Sequence, residues 1–528
     1  MRNGLSKDLI ARVLGGAPKY TLDELEAKFP QRNLSDGAMV TRVAPSPTGF
    51  MHLGTLYQMM IAKKLAQQSN GVFMLRIEDT DTKREVAGAV DVILKCAKEF
   101  NLTPDEGPNY GGEYGPYYQS ERKDIYHSVA AVLLEKGLAY PCFLSSIEMD
   151  EIREKQKAAG WGTGIYGEWA RDRNLTEEEI IAHLDNGEVP SIRLYSTGDK
   201  NNKIYYNDKV RGRLIFPENE EDIVLIKSND GLPTYHFAHL CDDHFMRTTL
   251  VQRGEEWLSS LNLHLQLFRM MGWQHPDYIH VATINKLDEQ THNSRKLSKR
   301  TDPEANTMQY LNAGWPKEAV LNYLYNIVAA GFEEEKLKKP ETTIWNYQLR
   351  IKKIPTSSAL FGFEKLQWWA KEYIATMSVP DLVKSVVDWA NEYGNDDNKK
   401  QVADIDYLTS ILSIERDNPK RIRKDFITWQ QTLNEIAPFF DFLFVPNKEY
   451  QYNKDVLHEF LETYDANDDK DTWWQKIVYT AEKAGLKPGV VAMDLRVAML
   501  GRTNTPDLYS VMQVLGNKRV CERINMVM

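Results

Sequence analysis

Apolar residues recur at helical spacing near the start of the chain, where Leu5, Leu9, Ile10, Val13 and Leu14 predict a small amphipathic helix. Residues 39–43 read as a short strand, the Pro and Gly residues of 45–54 as a loop, Thr55 to Gln68 as a helix and residues 72–77 as a second strand. This strand, loop, helix and strand have the length of a right-handed βαβ crossover, which implies a parallel sheet with its chemistry at the loop. From about 120 to 222 the pattern changes to mixed helices and short strands, including an acid-rich helix start after Thr176, and reads as an insertion. Apolar runs at 222–227 and 280–284 flank a predicted helix over 255–271, so the sheet is expected to resume there and the insertion to split one nucleotide-binding fold. Beyond about 305 nearly everything has helical period, with Trp345, Trp368, Trp369, Trp429, Trp473 and Trp474 as packing residues and the polar stretch 391–400 as an inter-helix loop.

Composition narrows this picture. A chain of 528 residues is too long for one ordinary core, and 42% hydrophobic with 27% charged residues excludes wholly disordered and collagen-like classes. No repeat of fixed period supports a solenoid. The net charge of −10 confines any nucleic-acid surface to a local patch. Four scattered cysteines, Cys96, Cys142, Cys241 and Cys521, form no C-x-x-C pair, and no segment has the apolar length of a membrane span, so a reducing cytoplasm fits. Asp8 and the acidic Asp23, Glu24 and Glu26 argue against a transit peptide.

The first candidate site runs from Thr41 to Thr55, where a strand ends in a stiff turn and a helix begins. Free N–H groups and a partial positive charge at the helix start suit a phosphate, Gly54 lets a ligand approach the backbone, and His52 adds a polar ring. An ordinary Pro-rich turn with a structural histidine is the competing reading. The second site is Lys296-Leu297-Ser298-Lys299-Arg300, after a polar loop from Asn285 to Arg295 that is too hydrophilic to be core. Mobile ammonium groups there suit charge that develops on phosphates, although five such residues also describe a plain solvated face. Between the two lies a run from Asp230 to His244 whose His and Asp spacing matches no standard zinc site.

The exact residues add a resemblance. TRVAPSPTG followed by HLGT closely resembles the signature of bacterial-type glutamyl-tRNA synthetases, a class I family whose general motif is His-Ile-Gly-His, with Thr55 in the fourth position here. RIEDTD at residues 76–81 and the KLSKR run at 296–300 resemble the same family, in the right order, and further familiar stretches carry the likeness over about 41–528. The resemblance implies an α/β fold: a Rossmann-like parallel-sheet catalytic domain split by an α+β insertion, followed by all-helical C-terminal domains. It implies an extension at 1–38, catalytic halves at 39–120 and 223–300, an acceptor-end-binding insertion at 121–222, a helical stem-contact domain at 301–378 and a helical anticodon-binding domain at 379–528.

The activity implied is that of a glutamate–tRNA ligase that forms glutamyl-adenylate from glutamate and ATP with Mg2+, then charges tRNA(Glu). By the resemblance His52, Thr55, Lys296 and Lys299 are catalytic, and His52, Gly54, Lys296, Leu297, Ser298, Lys299 and Arg300 bind ATP. Arg42, Ala44, Ser46, Glu78, Tyr235, His239 and Arg253 line the glutamate site, with Glu78 on the ammonium group. A carboxylate suits a planar guanidinium, so Arg253, with Arg42 beside it, is the expected reader of the γ-carboxylate. No protein-held metal is expected: the run Tyr140-Pro141-Cys142 lacks the second thiolate of the family's zinc site. Two basic clusters are candidates for RNA contact: Arg350, Lys352 and Lys353, and Arg416, Lys420, Arg421, Arg423 and Lys424 with Trp429 to stack. A monomer in the cytoplasm is expected. Charging of tRNA(Gln) as well, and a catalytically idle RNA-binding regulator, are the alternatives, and the intact lysines speak against the second.

Overall fold

The computed structural model describes residues 3–81, 83–288, 290–417 and 422–528. Strand Val40–Val43 is buried at every position, as a parallel strand covered on both faces must be. The chain turns into helix Leu53–Gln68 and returns as strand Val72–Leu75, with Val40 opposite Val72. These strands belong to a four-stranded parallel sheet in the order Val72–Leu75, Val40–Val43, Leu250–Gly254, Asp277–Val281. The chain leaves the first strand toward one edge and later returns on its other side. That reversal opens a crevice beyond the carboxyl ends of Val40–Val43 and Leu250–Gly254, the place where open α/β sheets bind ligands.

The insertion forms its own antiparallel sheet, Ala139–Cys142, Ser191–Leu194 and Val224–Ile226, and a hairpin, Lys203–Asp208 with Gly212–Pro217. Here the structure corrects the sequence reading. The run at 222–227 pairs with the inserted sheet, and the parallel sheet resumes only at Leu250–Gly254, a strand whose buried Gln252 and Arg253 hide its apolar signal. The expected helix over 255–271 is a 3-10 turn, Glu255–Ser260, followed by helix Leu261–Met271. The helix start at Thr176 is as read, with Thr176 and Glu179 closing a capping box.

The first 38 residues pack as part of this unit. Helix Lys7–Val13 buries Leu9, Ile10 and Val13, and a second helix, Leu22–Lys28, starts on a Thr21–Glu24 capping box. Phe29, fully buried, lies against Tyr114 and Phe245. Glu26 accepts from Arg247 at 2.5 Å and meets His244 at 2.7 Å, and Arg32 is paired with Glu106 at 2.6 Å. The segment thus grips the end of helix Tyr235–Phe245.

The chain divides into two compact units, residues 1–308 with 324–361, and residues 309–323 with 362–528. Residues 301–378, read as one helical segment, are shared between them and include strand Ala359–Leu360, paired with Ile284–Leu287 in the first unit. The described residues of the second unit hold no strand. Its core gathers Trp389, Trp429 and Trp473 with aliphatic residues of several helices. The stretch 391–400, expected as a long loop, is a short break between helices Val379–Tyr393 and Asp396–Gln401, because Asn395 and Asn398 form a polar capping box. Trp429 is only 7% exposed and cannot stack on a base. Arg416 donates to the carbonyls of Ile374 and Met377, Arg423 is held by Asp425 and Lys424 by Glu372. That cluster is therefore engaged within the unit, apart from Lys420 and Arg421, which lie outside the described residues. Arg350, Lys352 and Lys353 are exposed. No helix among the described residues is long and apolar enough to cross a membrane.

Truncating Phe29 removes a fully buried ring between two aromatic partners. Phe29→Ala is expected to lower unfolding free energy by about 3–5 kcal/mol, read as an earlier urea transition; an unchanged midpoint would show that the N-terminal segment is not coupled to the fold.

Candidate active site

The turn after the first strand is organised by His52, the N-cap of helix Leu53–Gln68. Its Nδ1 accepts the Gly54 amide proton at 2.8 Å, so the ring carries its own proton on Nε2, which faces the Leu297 carbonyl at 3.1 Å. A Cβ on residue 54 would stand 2.9 Å from Nδ1, so glycine is needed there by the cap itself. Burial pushes His52 down to about 4, and Lys299 and Lys296 add to the shift. The imidazole is neutral at pH 7, and both of its nitrogens are engaged.

The basic loop is anchored from below. Much of the polar stretch 285–295 is a hairpin, Ile284–Leu287 paired with Ser294–Lys296, where the sequence suggested a loop. Asp302 accepts from the Ser298 amide at 2.8 Å and from Arg295 at 2.6 Å, which fixes the loop's base. Lys296 is ion-paired with Glu256, while the Lys299 ammonium lies 5.5 Å from the centre of the Phe50 ring.

A cavity of about 430 Å³ lies between turn and loop. His52, Gly54 and Thr55 line it from the turn, and Lys296, Leu297 and Lys299 from the loop. Arg42, Ala44, Glu78, Tyr235 and Arg253 line its other walls. An adjoining recess of about 680 Å³ adds Ser46 and shares Ala44, His52, Thr55, Glu78, Tyr235 and Lys299. Three expected site residues line neither space: Ser298, Arg300 and His239. His239 is fully buried behind the wall, with Nδ1 2.7 Å from Asp243 and Nε2 2.9 Å from the Tyr278 hydroxyl. Gln252, Glu256 and Trp257 line the cavity without having been assigned a role from the sequence; the contact of the Tyr235 and Trp257 rings, tilted with centres 4.4 Å apart, is a tertiary fact.

The floor of the cleft is strongly charged. Arg42 pairs with Asp243 at 3.1 Å, Arg76 with Asp243 at 2.9 Å and Arg122 with Asp242 at 2.6 Å. Burial opposes ionisation of Asp243, but Arg42, Arg76 and His239 hold it well below the usual carboxylate range. Burial lifts Glu78 above its ordinary value against the pull of Arg76, 3.4 Å away. Arg253 is held differently. Its Nε donates to His280 at 2.8 Å, its Nη1 meets His264 at 3.1 Å and the Tyr235 hydroxyl at 3.4 Å, and its buried Nη2 has no partner among the described residues. Among the described residues no group of three or more His, Cys, Asp or Glu side chains is placed to hold a metal ion. Convergent cations, a helix start and one neutral cap can bind a polyphosphate beside a small zwitterion.

Comparison with known proteins agrees with this chemistry. Residues 38–368 match the family model of the catalytic domain of class I tRNA synthetases (E and Q), and residues 385–528 match an anticodon binding domain. The chain is 44% identical to a glutamate–tRNA ligase of Acetivibrio thermocellus, over 94% of this chain and 95% of the relative. It is 40% identical to one of Clostridium perfringens strain 13, over 98% and 99%. Among solved structures, a glutamate–tRNA ligase of Elizabethkingia meningosepticum in complex with its amino acid superposes with a TM-score of 0.77 at 29% identity, covering 93% of this chain and 99% of that one.

Burial also sets a pH dependence. His236 and His239 are pushed down to about 4 by desolvation, and His264 and His280 are lowered for the same reason. The unfolded chain therefore binds more protons than the fold between pH 6.5 and 4. Stability from these neutral histidines is complete above about pH 6.5 and is lost as pH falls below it, for His236 and His239 down to about 4 and on the order of 1 kcal/mol per pH unit for each of those two, with His264 and His280 acting in the same direction. Urea midpoints should fall steadily from pH 7 to pH 5; a flat profile would contradict the burial of neutral imidazoles.

Proposed function

The chain belongs to the class I tRNA synthetases of the glutamate and glutamine type and is a glutamate–tRNA ligase, and on that premise we propose how its own residues divide the reaction. An α-carboxylate oxygen of glutamate attacks the α-phosphate of ATP, pyrophosphate leaves and glutamyl-adenylate forms. The terminal 2′-hydroxyl of tRNA(Glu) then attacks the adenylate carbonyl and AMP leaves. One observation carries the assignment: His52, Thr55, Lys296 and Lys299, some 240 residues apart in two groups, line one cavity with Arg42, Glu78, Tyr235 and Arg253.

His52 works as a neutral brace. It caps the helix whose free N–H groups receive phosphate, and it ties that helix to the basic loop through the Leu297 carbonyl. Lys296 and Lys299 meet the charge that grows on the phosphates in the transition state, so rate comes from alignment and electrostatics without a covalent enzyme intermediate. ATP would be taken as its Mg2+ complex, the ion lowering the charge on the phosphates. Glu78 takes the ammonium group of glutamate and Arg253 the γ-carboxylate. Arg42 shapes the floor through its pairing with Asp243, and His239 acts from behind through Asp243 and Tyr278.

The insertion at 121–222 grips the acceptor end, residues 301–378 meet the stem with Arg350, Lys352 and Lys353 exposed to RNA, and residues 379–528 read the anticodon. The match of 385–528 to an anticodon binding domain supports the last of these. The protein acts as a cytoplasmic monomer.

Purified protein supplied with labelled glutamate, ATP and tRNA(Glu) is expected to charge the RNA with release of AMP; a folded protein that charges none would remove the assignment. Lys299→Ala should slow ATP–pyrophosphate exchange at least about tenfold, roughly 1.4 kcal/mol of transition-state stabilisation, with folding intact. Exchange at the native rate would take Lys299 out of the mechanism. Arg253→Ala should raise KM for glutamate far more than KM for ATP, because the substrate carboxylate loses its partner. Equal rises in both would break the γ-carboxylate assignment.

A further inference from the structure

Three buried arginines stand around the cleft, and they are supported in two different ways. Arg42 and Arg76 are ion-paired with Asp243, so much of their charge is cancelled before any ligand arrives. Arg253, 5% exposed, directs its hydrogen bonds to uncharged groups.

The donors fix the protons of this network. A guanidinium can only donate, so His280 accepts at Nε2 and His264 accepts at Nδ1. The His280 proton then sits on Nδ1 and is given to Asp208 at 2.7 Å, which also accepts the Val210 and Arg211 amides at 2.9 Å each. The His264 proton sits on Nε2 and is given to His236 Nδ1 at 3.0 Å. Both rings are fully buried and neither lines the cavity. Their placement follows from the fold: His280 is the register partner of Arg253 on the neighbouring parallel strand, and His264 comes from helix Leu261–Met271. Burial disfavours the charged form of both rings, which keeps the acceptors in place at neutral pH.

An acceptor without charge orients a cation without cancelling it. A carboxylate in the same position would hold Arg253 as firmly and would remove the difference between a ligand carboxylate, which gains the full attraction, and a carboxamide, which offers a dipole alone. We propose that His264 and His280 are positioning residues that hold Arg253 as a cation with no carboxylate bonded directly to it, and that this neutral support sets the preference for a side-chain carboxylate over a side-chain carboxamide. The proposal rests on Arg253 being the reader of the γ-carboxylate.

Residue 264 offers a test in which packing is constant and charge alone differs. His264→Asn keeps a neutral acceptor where Nδ1 stood; His264→Asp has the same shape and adds the charge. ATP–pyrophosphate exchange with tRNA(Glu) present, measured on the full chain with glutamate and with glutamine, is expected to give His264→Asn a KM for glutamate within about threefold of native. His264→Asp should raise that KM at least about tenfold, leave KM for ATP within about twofold, and narrow the glutamate-to-glutamine ratio of kcat/KM. His280→Gln, which places an amide oxygen near the Nε2 position, should behave as His264→Asn does. Equal glutamate KM values for the Asn and Asp variants, or an unchanged glutamate-to-glutamine ratio in the Asp variant, would overturn the proposal. Arg253→Ala, measured in parallel, separates the two levels. If it leaves KM for glutamate unchanged, the Arg253 assignment itself fails; if it raises KM while the position-264 pair does not differ, the support by neutral imidazoles fails alone. Should the Asp variant not fold, the His280→Gln profile decides: selective loss of glutamate affinity in a folded protein would count against the proposal.

Discussion

Asp242 and Asp243, neighbours on helix Tyr235–Phe245, make it possible to bury three guanidinium groups beneath the cleft. Arg122 binds the first, Arg42 binds the second and Arg76 reaches both. Arg42 belongs to the central strand, Arg76 follows the strand beside it and Arg122 precedes helix Lys123–Glu135, so one pair of carboxylates joins separate elements below the ligand space. Such a cluster contributes little net stability over an apolar core, but losing one partner leaves a buried charge unmatched, at about 3–5 kcal/mol. The rest of the site is hung from this cluster: Glu78 leans on Arg76, and His239 on Asp243.

Above that floor, burial keeps several imidazoles uncharged. His52 is neutral because burial and two nearby lysines make a third cation costly, and a neutral ring can accept at one nitrogen and donate at the other. The same property recurs at His264 and His280 around Arg253. Among the cations that border the cavity, Lys299 and Arg253 have no carboxylate of the described residues bonded to them, Lys296 is paired with Glu256, and the imidazoles set geometry. The two ends of the cleft use one device, a neutral histidine beside a cation.

The two motifs were legible as candidate phosphate sites, a helix start with Gly54 and lysines on a short loop, and family likeness decided them over a plain turn and a solvated face; that glycine is needed at 54 because the His52 ring leaves no room for a Cβ is seen only in the structure. Arg253, Glu78 and Tyr235 came from family likeness, since nothing in local periodicity separates a buried arginine that serves a site from one that fills a strand. The strand carrying Arg253 escaped detection for the same reason, its polar residues masking a buried element. The run at 222–227 was correctly seen as extended and assigned to the wrong sheet, because a period of two says nothing of the pairing partner. His264 and His280 left no local signal; they meet Arg253, and Asp208 meets His280, only through the register of two parallel strands, a hairpin and a helix. Trp429 shows the opposite error, a large aromatic near basic residues that the helical core had already claimed.

The N-terminal segment carries a consequence for biosynthesis. Its partners lie far along the chain: Leu5 bonds to the Leu134 carbonyl, Ser6 to Glu177, and Glu26 and Phe29 to Arg247, 218 or more residues downstream. At a translation rate of about 5–20 residues per second, the apolar faces carrying Leu9, Ile10, Leu25 and Phe29 leave the ribosome roughly 10–40 s before their last docking surface exists. Over that interval the nascent chain displays two amphipathic helices whose apolar faces have no partner, and the first unit cannot close before the helix bearing its two central carboxylates has emerged.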